Sequence, residues 1–395
     1  MENFWNRLRF RQSHCITISC PNHIIFIIVK HIVNSIVKIC IILGTRPEII
    51  KMSPIIRACE EKEIDYFILH TGQHYSYEMD KAFFNDLELP EPKYNLDVGS
   101  GTHAVQTAKI LTGIEEVLLK EKPDVILVQG DTNTVMAGAL AASKLHIKIG
   151  HVEAGLRSYD RSMPEEINRI IADHISDYLF APTETSRQNL LAEGIPDEKI
   201  FVTGNTVVDA VYQNLEISKK HMDVLAKLGV SPKKYFLATM HRAENVDVKE
   251  RLASVLDALQ ELQAKYDMPI IFPMHPRTVK MVETFGLTLD GITVLPPQGY
   301  LEFLQLEENA FVILTDSGGL QEEGCILGTP CVTLRDNTER PETIDVGANV
   351  LAGADKEKIL KSVSKLSGVD GTRKWENPFG NGDSGLDILH ITQSL

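Results

Sequence analysis

"DVILVQGDTNTVMAGALAASKLHIKIGHVEAG" (residues 124–155) decides the fold. It opens with an apolar run, turns at Gly130 and Asp131, continues through a small-residue helix, and ends in a second apolar run before Glu153. Strand, helix and strand at this spacing make a βαβ unit, in which the strands lie parallel and are buried on both faces. "FVILTDSGGLQEEGCILGTPCVTLRDNTERPE" (311–342) repeats the plan, again with an aspartate in the turn after its first strand and a charged loop after its second. Two similarly built halves are expected.

The same alternation extends in both directions. "KICIILG", "DYFILHTG", "YLFAPT" and "KIFVTGN" flank the first unit, and "YFLATMH", "PIIFPMH" and "GITVLP" precede the second. Amphipathic stretches such as "VKERLASVLDALQELQAKY" (248–266) lie between them. The chain is therefore α/β with parallel sheets. In open sheets of this kind ligands sit outside the carboxyl ends of the strands, where every charged motif of this chain falls.

With 395 residues, 43% of them hydrophobic, there is enough chain for two cores. The formal net charge of −14 opposes nucleic acid and anionic membranes, so an anionic ligand needs a locally basic cleft. Six cysteines without a CxxC pair suit a reducing cytoplasm. The spacing of His14, Cys15, Cys20 and His23 fits no common zinc pattern. Residues 24–43 form an apolar run, but Lys30, His31, Asn34 and Lys38 interrupt it, and no membrane span is expected. Its last third, "VKICIILGTRPE", reads as a buried strand feeding a turn, which leaves residues 1–37 as an extension outside the fold.

Several turns carry chemistry. In "ILGTRPEIIKMSP", Arg46 and Lys51 stand near a helix start opened by Pro47, a natural anion site. In "TDSGGLQEEG", Ser317, Gly318 and Gly319 leave bare amides at a helix start, with Glu322 and Glu323 expected in its first turn. "TMHRAEN" (His241, Arg242), "PMHPRT" (His275, Arg277) and "RDNTERPE" (Arg335, Arg340) would line a cleft with cations fit for a diphosphate. The one GxGxxG/A match, "GSGTHA" (99–104), follows a Pro-rich loop, and there is neither a Walker A sequence nor an HExxH. Neither a dinucleotide cofactor nor a catalytic metal is expected. In "GHVEAGLRSYDRSMPEEINR" (150–169), Ser162 and Glu165 fit a capping box around Pro164, whereas Glu153 and Asp131, at adjacent strand ends, are candidates for proton transfer. Asp160 and Glu166 are assigned to structure.

Taken in order, "GTRPEIIKMSPII", "TGQHYSYEMD", "QGDTNTVMAGALAA", "HVEAGLRS", "MPEEINR", "APTETSRQNLL", "TGNTVVDA", "HRAEN", "HPRT", "TDSGGLQEE" and "RDNTERPE" resemble the non-hydrolysing UDP-N-acetylglucosamine 2-epimerases, on the archaeal side of that family. The resemblance covers residues 38 to about 382. It implies two Rossmann-like domains facing a central cleft, similar to GT-B glycosyltransferases: 38–205, 206–374, and a C-terminal helix in 375–395 packing back on the first. The implied reaction interconverts UDP-GlcNAc and UDP-ManNAc through elimination of UDP, a 2-acetamidoglucal and re-addition, in a cytoplasmic homodimer that feeds surface polysaccharide synthesis.

By motif, the resemblance makes Asp131, Glu153 and Glu165 the acid–base group, with His241 near the diphosphate. Arg46, Lys51, Arg242, Ser317, Gly318, Gly319 and Arg340 would bind phosphate, Glu323 the ribose, and Tyr300 or Phe303 would flank uracil. It extends to a second UDP-GlcNAc bound as activator through Gln73 and His74, although the residues that follow depart from the bacterial pattern. The competing readings are a hydrolysing epimerase that releases ManNAc, an epimerase for a UDP-diacetamido-uronic acid, a GT-B glycosyltransferase and a non-catalytic UDP-sugar sensor.

Overall fold

The computed structural model describes residues 16–20, 23–27, 37–73, 77–367 and 375–394. Ile16–Cys20 and His23–Ile27 pair antiparallel as a separate hairpin. The side chains of His14, Cys15, Cys20 and His23, for which no metal site is expected, and of the activator position His74 lie outside the described residues.

Two parallel sheets carry the rest. The first has seven strands, ordered in space Tyr94–Asn95, Tyr66–His70, Ile39–Leu43, Val125–Gln129, Lys148–Val152, Tyr178–Ala181, Ile200–Val202. The second has six: Ile292–Leu295, Ile270–Pro273, Phe236–Thr239, Val312–Thr315, Cys331–Thr333, Asn349–Leu351. In chain order each begins third, second, first, fourth, fifth, sixth, which is the doubly wound arrangement. The order in which strands are added reverses between the first and fourth strands of each sheet, which stay parallel, so each sheet has its crevice there. The short edge strands Tyr94–Asn95 and Asn349–Leu351 were not apparent as apolar runs.

Both faces of each sheet are covered, as the unbroken apolar strands require. Ile39, Ile41 and Leu43 pack on Ile49, Met52 and Ile55 of the helix Arg46–Glu61. Their alternates Cys40 and Ile42 meet Ile110 and Ile114 of His103–Glu121 and Val135 of Asn133–Lys144. In the second sheet Phe236 and Ala238 face Leu252, Val255 and Leu259 of Lys249–Tyr266, while Leu237 faces Val224 and Leu306. Among the described residues no helix is long and apolar enough to cross a membrane. Cys40, Cys59, Cys325 and Cys331 are buried free thiols.

The helix Thr206–His221 joins the halves. Arg57 reaches it from Arg46–Glu61, donating to Gln213 (2.8 Å) and Asn214 (2.7 Å). Ser218 Oγ donates to the carbonyl of Leu301 on the other side at 2.6 Å. The last helix, Ser384–Gln393, returns to the same place: the Gly385 N–H donates to Asp209 at 2.9 Å. A Cβ on Gly385 would lie 2.9 Å from Pro54 Cβ and 3.1 Å from the Pro54 carbonyl carbon, so this helix crossing is as close as glycine permits. Gly385→Ala should therefore lower unfolding stability by about 1–3 kcal/mol, the usual range for overpacking. An unchanged urea midpoint for this variant would show that the terminal helix does not bear on the first half.

Candidate active site

The crevices of the two sheets face one another across a cavity of about 480 Å³. From the first half come Thr45, Pro47, Glu48 and Lys51, the turn Gln129–Thr132, Glu153, Arg157, and Glu165 and Arg169 of the helix Pro164–Ile175. From the second come Arg242, Gly318, Gly319, Glu339 and Arg340.

Glu153 stands immediately after the strand Lys148–Val152 with φ of 70°, a left-handed conformation that costs a non-glycine residue on the order of 1 kcal/mol and is concentrated at functional sites. Its carboxylate is buried against the Lys51 ammonium, 2.7 Å from each oxygen, and also accepts from Gln129 Nε2. Burial pushes the Glu153 carboxyl up, but Lys51, then Arg340 and Arg169, outweigh it, and the net shift is downward. Lys51 is itself raised, because Glu153 and Glu322 overcome its own burial.

Asp131 is held by Arg169, which also pairs with Glu166 at 2.7 Å. The capping box expected of Ser162 and Glu165 does not form. The helix begins at Pro164 with Met163 as an unassisted cap, and Ser162 donates to Asp160 instead. Glu165 is thereby left exposed on the cavity wall. Glu166 is structural, accepting the amide protons of Ser158 (3.0 Å) and Tyr159 (2.9 Å).

His151 supports this floor from beneath. Nε2 faces the Gly130 carbonyl at 2.8 Å and Nδ1 the Asp173 carboxylate at 2.7 Å. Both neighbours only accept, so both ring nitrogens carry hydrogen and the imidazolium is favoured; burial alone would lower its pKa, yet Asp173 raises it. Arg157 closes the network on Asp173 (2.7 Å) and Glu193 (2.7 Å).

A buried glutamate that sequence reasoning left unassigned, Glu48, ties the turns together. It accepts from the Gly44 amide, the Thr45 amide (3.1 Å) and the Thr132 hydroxyl (2.5 Å). Burial dominates these bonds and pushes its carboxyl up to about 7. The Thr45-x-x-Glu48 spacing is a capping-box signature that could have revealed it.

In the second half Asp316 has the corresponding place. Its buried carboxylate accepts from the amides of His241 (3.1 Å) and Arg242 (3.0 Å) and from Asn245 Nδ2 (3.1 Å), while His241 Nδ1 sits at 3.1 Å. His241 is thus turned back on Asp316, half-exposed, and unlike its neighbour Arg242 is not among the residues of the cavity wall. Arg340 pairs with Glu322 at 2.7 Å, and Arg335 supports Glu339 at 2.8 Å. The helix Gly318–Ile326 presents Gly318 and Gly319 to the cavity. A Cβ on Gly318 would meet nothing nearer than Glu339 Oε2 at 4.0 Å, and one on Gly319 nothing nearer than Ser317 Oγ at 3.9 Å. Internal packing does not require glycine here; a side chain would occupy the space in front of the amides.

The structure brings Asp131, Glu153, Glu165, Lys51, Arg242, Gly318, Gly319 and Arg340 around one cavity, and leaves other expected residues off its wall. Arg46 lies over the Phe83 ring, 5.2 Å from its centroid. Ser317 caps the helix behind the two glycines. Tyr300 lines a separate cavity of about 310 Å³ with Phe83 and His221, away from the place expected for a base-stacking ring. Glu322 and Glu323 are not in the first helical turn, because the helix begins at Gly318; Glu323 faces Tyr300 and Glu307. Among the described residues no group of three or more His, Cys, Asp or Glu is arranged to hold a metal.

The sequence pattern of the UDP-N-acetylglucosamine 2-epimerases matches residues 57–393. The chain belongs to that family. A UDP-N-acetylglucosamine 2-epimerase of the archaeon Methanocaldococcus jannaschii is 61% identical over 361 residues, spanning 90% of this chain and 98% of that one. The crystal structure of the Methanocaldococcus jannaschii enzyme in complex with UDP-GlcNAc and UDP superposes with a TM-score of 0.79 at 60% identity, covering 91% of this chain and 100% of that one. A UDP-2,3-diacetamido-2,3-dideoxy-D-glucuronate 2-epimerase of Pseudomonas aeruginosa is 45% identical over 328 residues, 82% of this chain and 91% of that one. The fold is that of the GT-B-like epimerases.

Removing Lys51 tests the electrostatics of the family's cleft in this chain. Because Glu153 is depressed in the folded state, its pairing stabilises the protein above the unfolded carboxyl pKa and is lost as pH falls through the lower folded value. Lys51→Met should cost about 3 kcal/mol at neutral pH by stranding a buried charge. In urea titrations across pH the gap to the unmodified protein should narrow towards acid, where Glu153 is protonated in the variant. A gap independent of pH would show that the pair is not the source.

Proposed function

We propose that the chain catalyses reversible C2 epimerisation of UDP-GlcNAc to UDP-ManNAc without net hydrolysis. The observation that carries this reading is the cavity itself: Glu153, Asp131 and Glu165 stand on one wall, and Arg242, Arg340 and the bare Gly318–Gly319 amides on the other. Carboxylates are suited to moving a proton, and the opposing cations and helix start to holding a diphosphate.

The hydrogen at C2 of a 2-acetamido sugar is not adjacent to a carbonyl, so simple deprotonation is unfavourable. In the proposed path a carboxylate takes that proton while the C1–O bond breaks, its electron pair leaving with the β-phosphate of UDP. The C–H pair becomes the C1=C2 bond of 2-acetamidoglucal. Return of a proton to the other face of C2 and attack of the UDP oxygen at C1 complete the inversion, with nothing consumed. Lys51, Arg242, Arg340 and the glycine amides would hold the leaving anion, and Glu323 would accept from the ribose diol. The division into 38–205, 206–374 and a returning 375–395 segment, cytoplasmic location, a homodimer and supply of surface polysaccharide belong to the same reading.

Proton NMR of UDP-GlcNAc incubated in D2O should reveal UDP-ManNAc carrying deuterium at C2. Accumulation of free ManNAc and UDP alone would instead establish the hydrolysing reaction. The Pseudomonas aeruginosa relative motivates a second reading, in which the substrate is a UDP-diacetamido-uronic acid. Faster turnover of that sugar than of UDP-GlcNAc in a side-by-side assay would favour it. Glu153→Gln should reduce epimerisation at least about a hundredfold, the scale of lost acid–base help, with UDP binding retained; undiminished turnover would remove Glu153 from the mechanism.

A further inference from the structure

His151 lies wholly buried beneath the cavity, on the strand Lys148–Val152, and the proposed chemistry gives it no task. Its ring stands between two groups that only accept: the Gly130 carbonyl, 2.8 Å from Nε2, and the Asp173 carboxylate, 2.7 Å from Nδ1. A neutral imidazole has one N–H and would turn a lone pair on one of them. The imidazolium has a hydrogen for each. Charge counting agrees. Asp173 also takes Arg157, which pairs in turn with Glu193, so a charged His151 gives this cluster two cations and two anions. A neutral ring would leave it one anion in excess, a costly state so far from water. Burial pulls the ring's proton affinity down, but Asp173, then Gly130 and Glu153, outweigh it.

The two acceptors lead to the two carboxylates proposed to move the proton. Gly130, at φ of 86°, is the residue before Asp131. Its amide donates to the Val152 carbonyl at 3.1 Å, so the Asp131 turn is tied at Gly130 to the strand end before Glu153 and, through the carbonyl, to His151. On the other side Asp173 takes the amide of Gly155, two residues beyond Glu153, at 3.2 Å. Gly155 has no room to shift towards the next helix: a Cβ there would lie 2.3 Å from the Ser186 carbonyl oxygen. Asn168 and Arg169, from the helix that carries Asp173, complete the hold on Asp131, at its carbonyl (2.9 Å) and its carboxylate. One buried cation thus has an arm to the turn before Asp131 and an arm to the turn after Glu153.

We propose that His151 is a positioning residue for the epimerisation: as a doubly protonated ring it clamps the Asp131 and Glu153 turns at a fixed separation, so that both carboxylates reach C2 of one bound sugar. The inference rests on the proton-transfer roles given to those carboxylates above.

Kinetics and calorimetry on His151→Gln, beside the unmodified full chain, test it. Glutamine carries its donors on one nitrogen and cannot face both acceptors with hydrogen. The kcat for UDP-GlcNAc epimerisation should fall at least about tenfold, since a displacement of about 1 Å at a reacting group can cost about a hundredfold. UDP, held mainly from the other half, should bind with unchanged affinity and stoichiometry. A fall in turnover matched by an equal fall in the fraction of chains that bind UDP would make His151 a residue of the fold alone and overturn the proposal. Undiminished kcat would overturn it as well: beside a weakened Glu153→Gln it removes His151 alone, and beside an undiminished Glu153→Gln it removes the carboxylate reading too. Should the glutamine variant fail to fold, NMR of the unmodified protein with labelled histidine nitrogens decides. The ring, assigned by its proximity to Val128 and Leu179 on the flanking strands, should carry hydrogen on both nitrogens at neutral pH. A single N–H would overturn the proposal.

Discussion

A buried carboxylate staples the two turns at the crevice of each sheet, and the rest of the site is arranged from those staples. In the first half Glu48 takes protons from Gly44 and Thr45 on one turn and from Thr132 on the other. In the second, Asp316 belongs to one turn and takes the amide protons of His241 and Arg242 from the other. Turns beyond parallel strands have no ladder to hold them, and a buried carboxylate cannot go without donors, so each need answers the other. The outcome differs in degree. Burial prevails at Glu48, whereas the donors prevail at Asp316, whose carboxyl is lowered despite its burial.

These staples allow a strongly acidic chain to offer cations to a ligand. Lys51, Arg169 and Arg340 are paired with Glu153, Asp131 and Glu322 respectively, so the cleft is close to neutral before anything binds. On the reading proposed, a diphosphate need not be drawn in by an unbalanced positive field. It would compete with carboxylates already in position. Such exchange sets the cations in place beforehand and limits their attraction for unrelated anions.

The strand plan was legible because parallel strands buried on both faces must be apolar throughout, and the apolar runs on either side of the two βαβ units coincide with strands. The edge strands Tyr94–Asn95 and Asn349–Leu351, with partners on one side only, carry too few residues to make a pattern. The turns after strands mark Asp131, Glu153 and Arg242, because charge there has few structural explanations, and Gly318, because it leaves a bare amide at a helix start. Side-chain direction was less accessible. Ser162-x-x-Glu165 satisfies a capping rule, but Asp160 takes the Ser162 hydroxyl and the helix starts after Met163. Tyr300 follows Gly299 at a helix start, and only the packing of that helix on Thr206–His221 determines that its ring faces the second cavity.

The position of Glu153 joins these constraints. Its left-handed backbone is over-determined by the strand before it and by the Asp173 network below, which also takes the Gly155 amide at 3.2 Å. Its charge is over-determined by Lys51. In the proposed elimination, negative charge grows on the departing diphosphate at the moment a proton leaves C2. As Lys51 shifts towards that charge, Glu153 loses the partner that depressed its proton affinity and keeps the burial that raises it. The carboxylate would then become a stronger base as the leaving group departs. One lysine shared between two anions would link cleavage at C1 to proton transfer at C2.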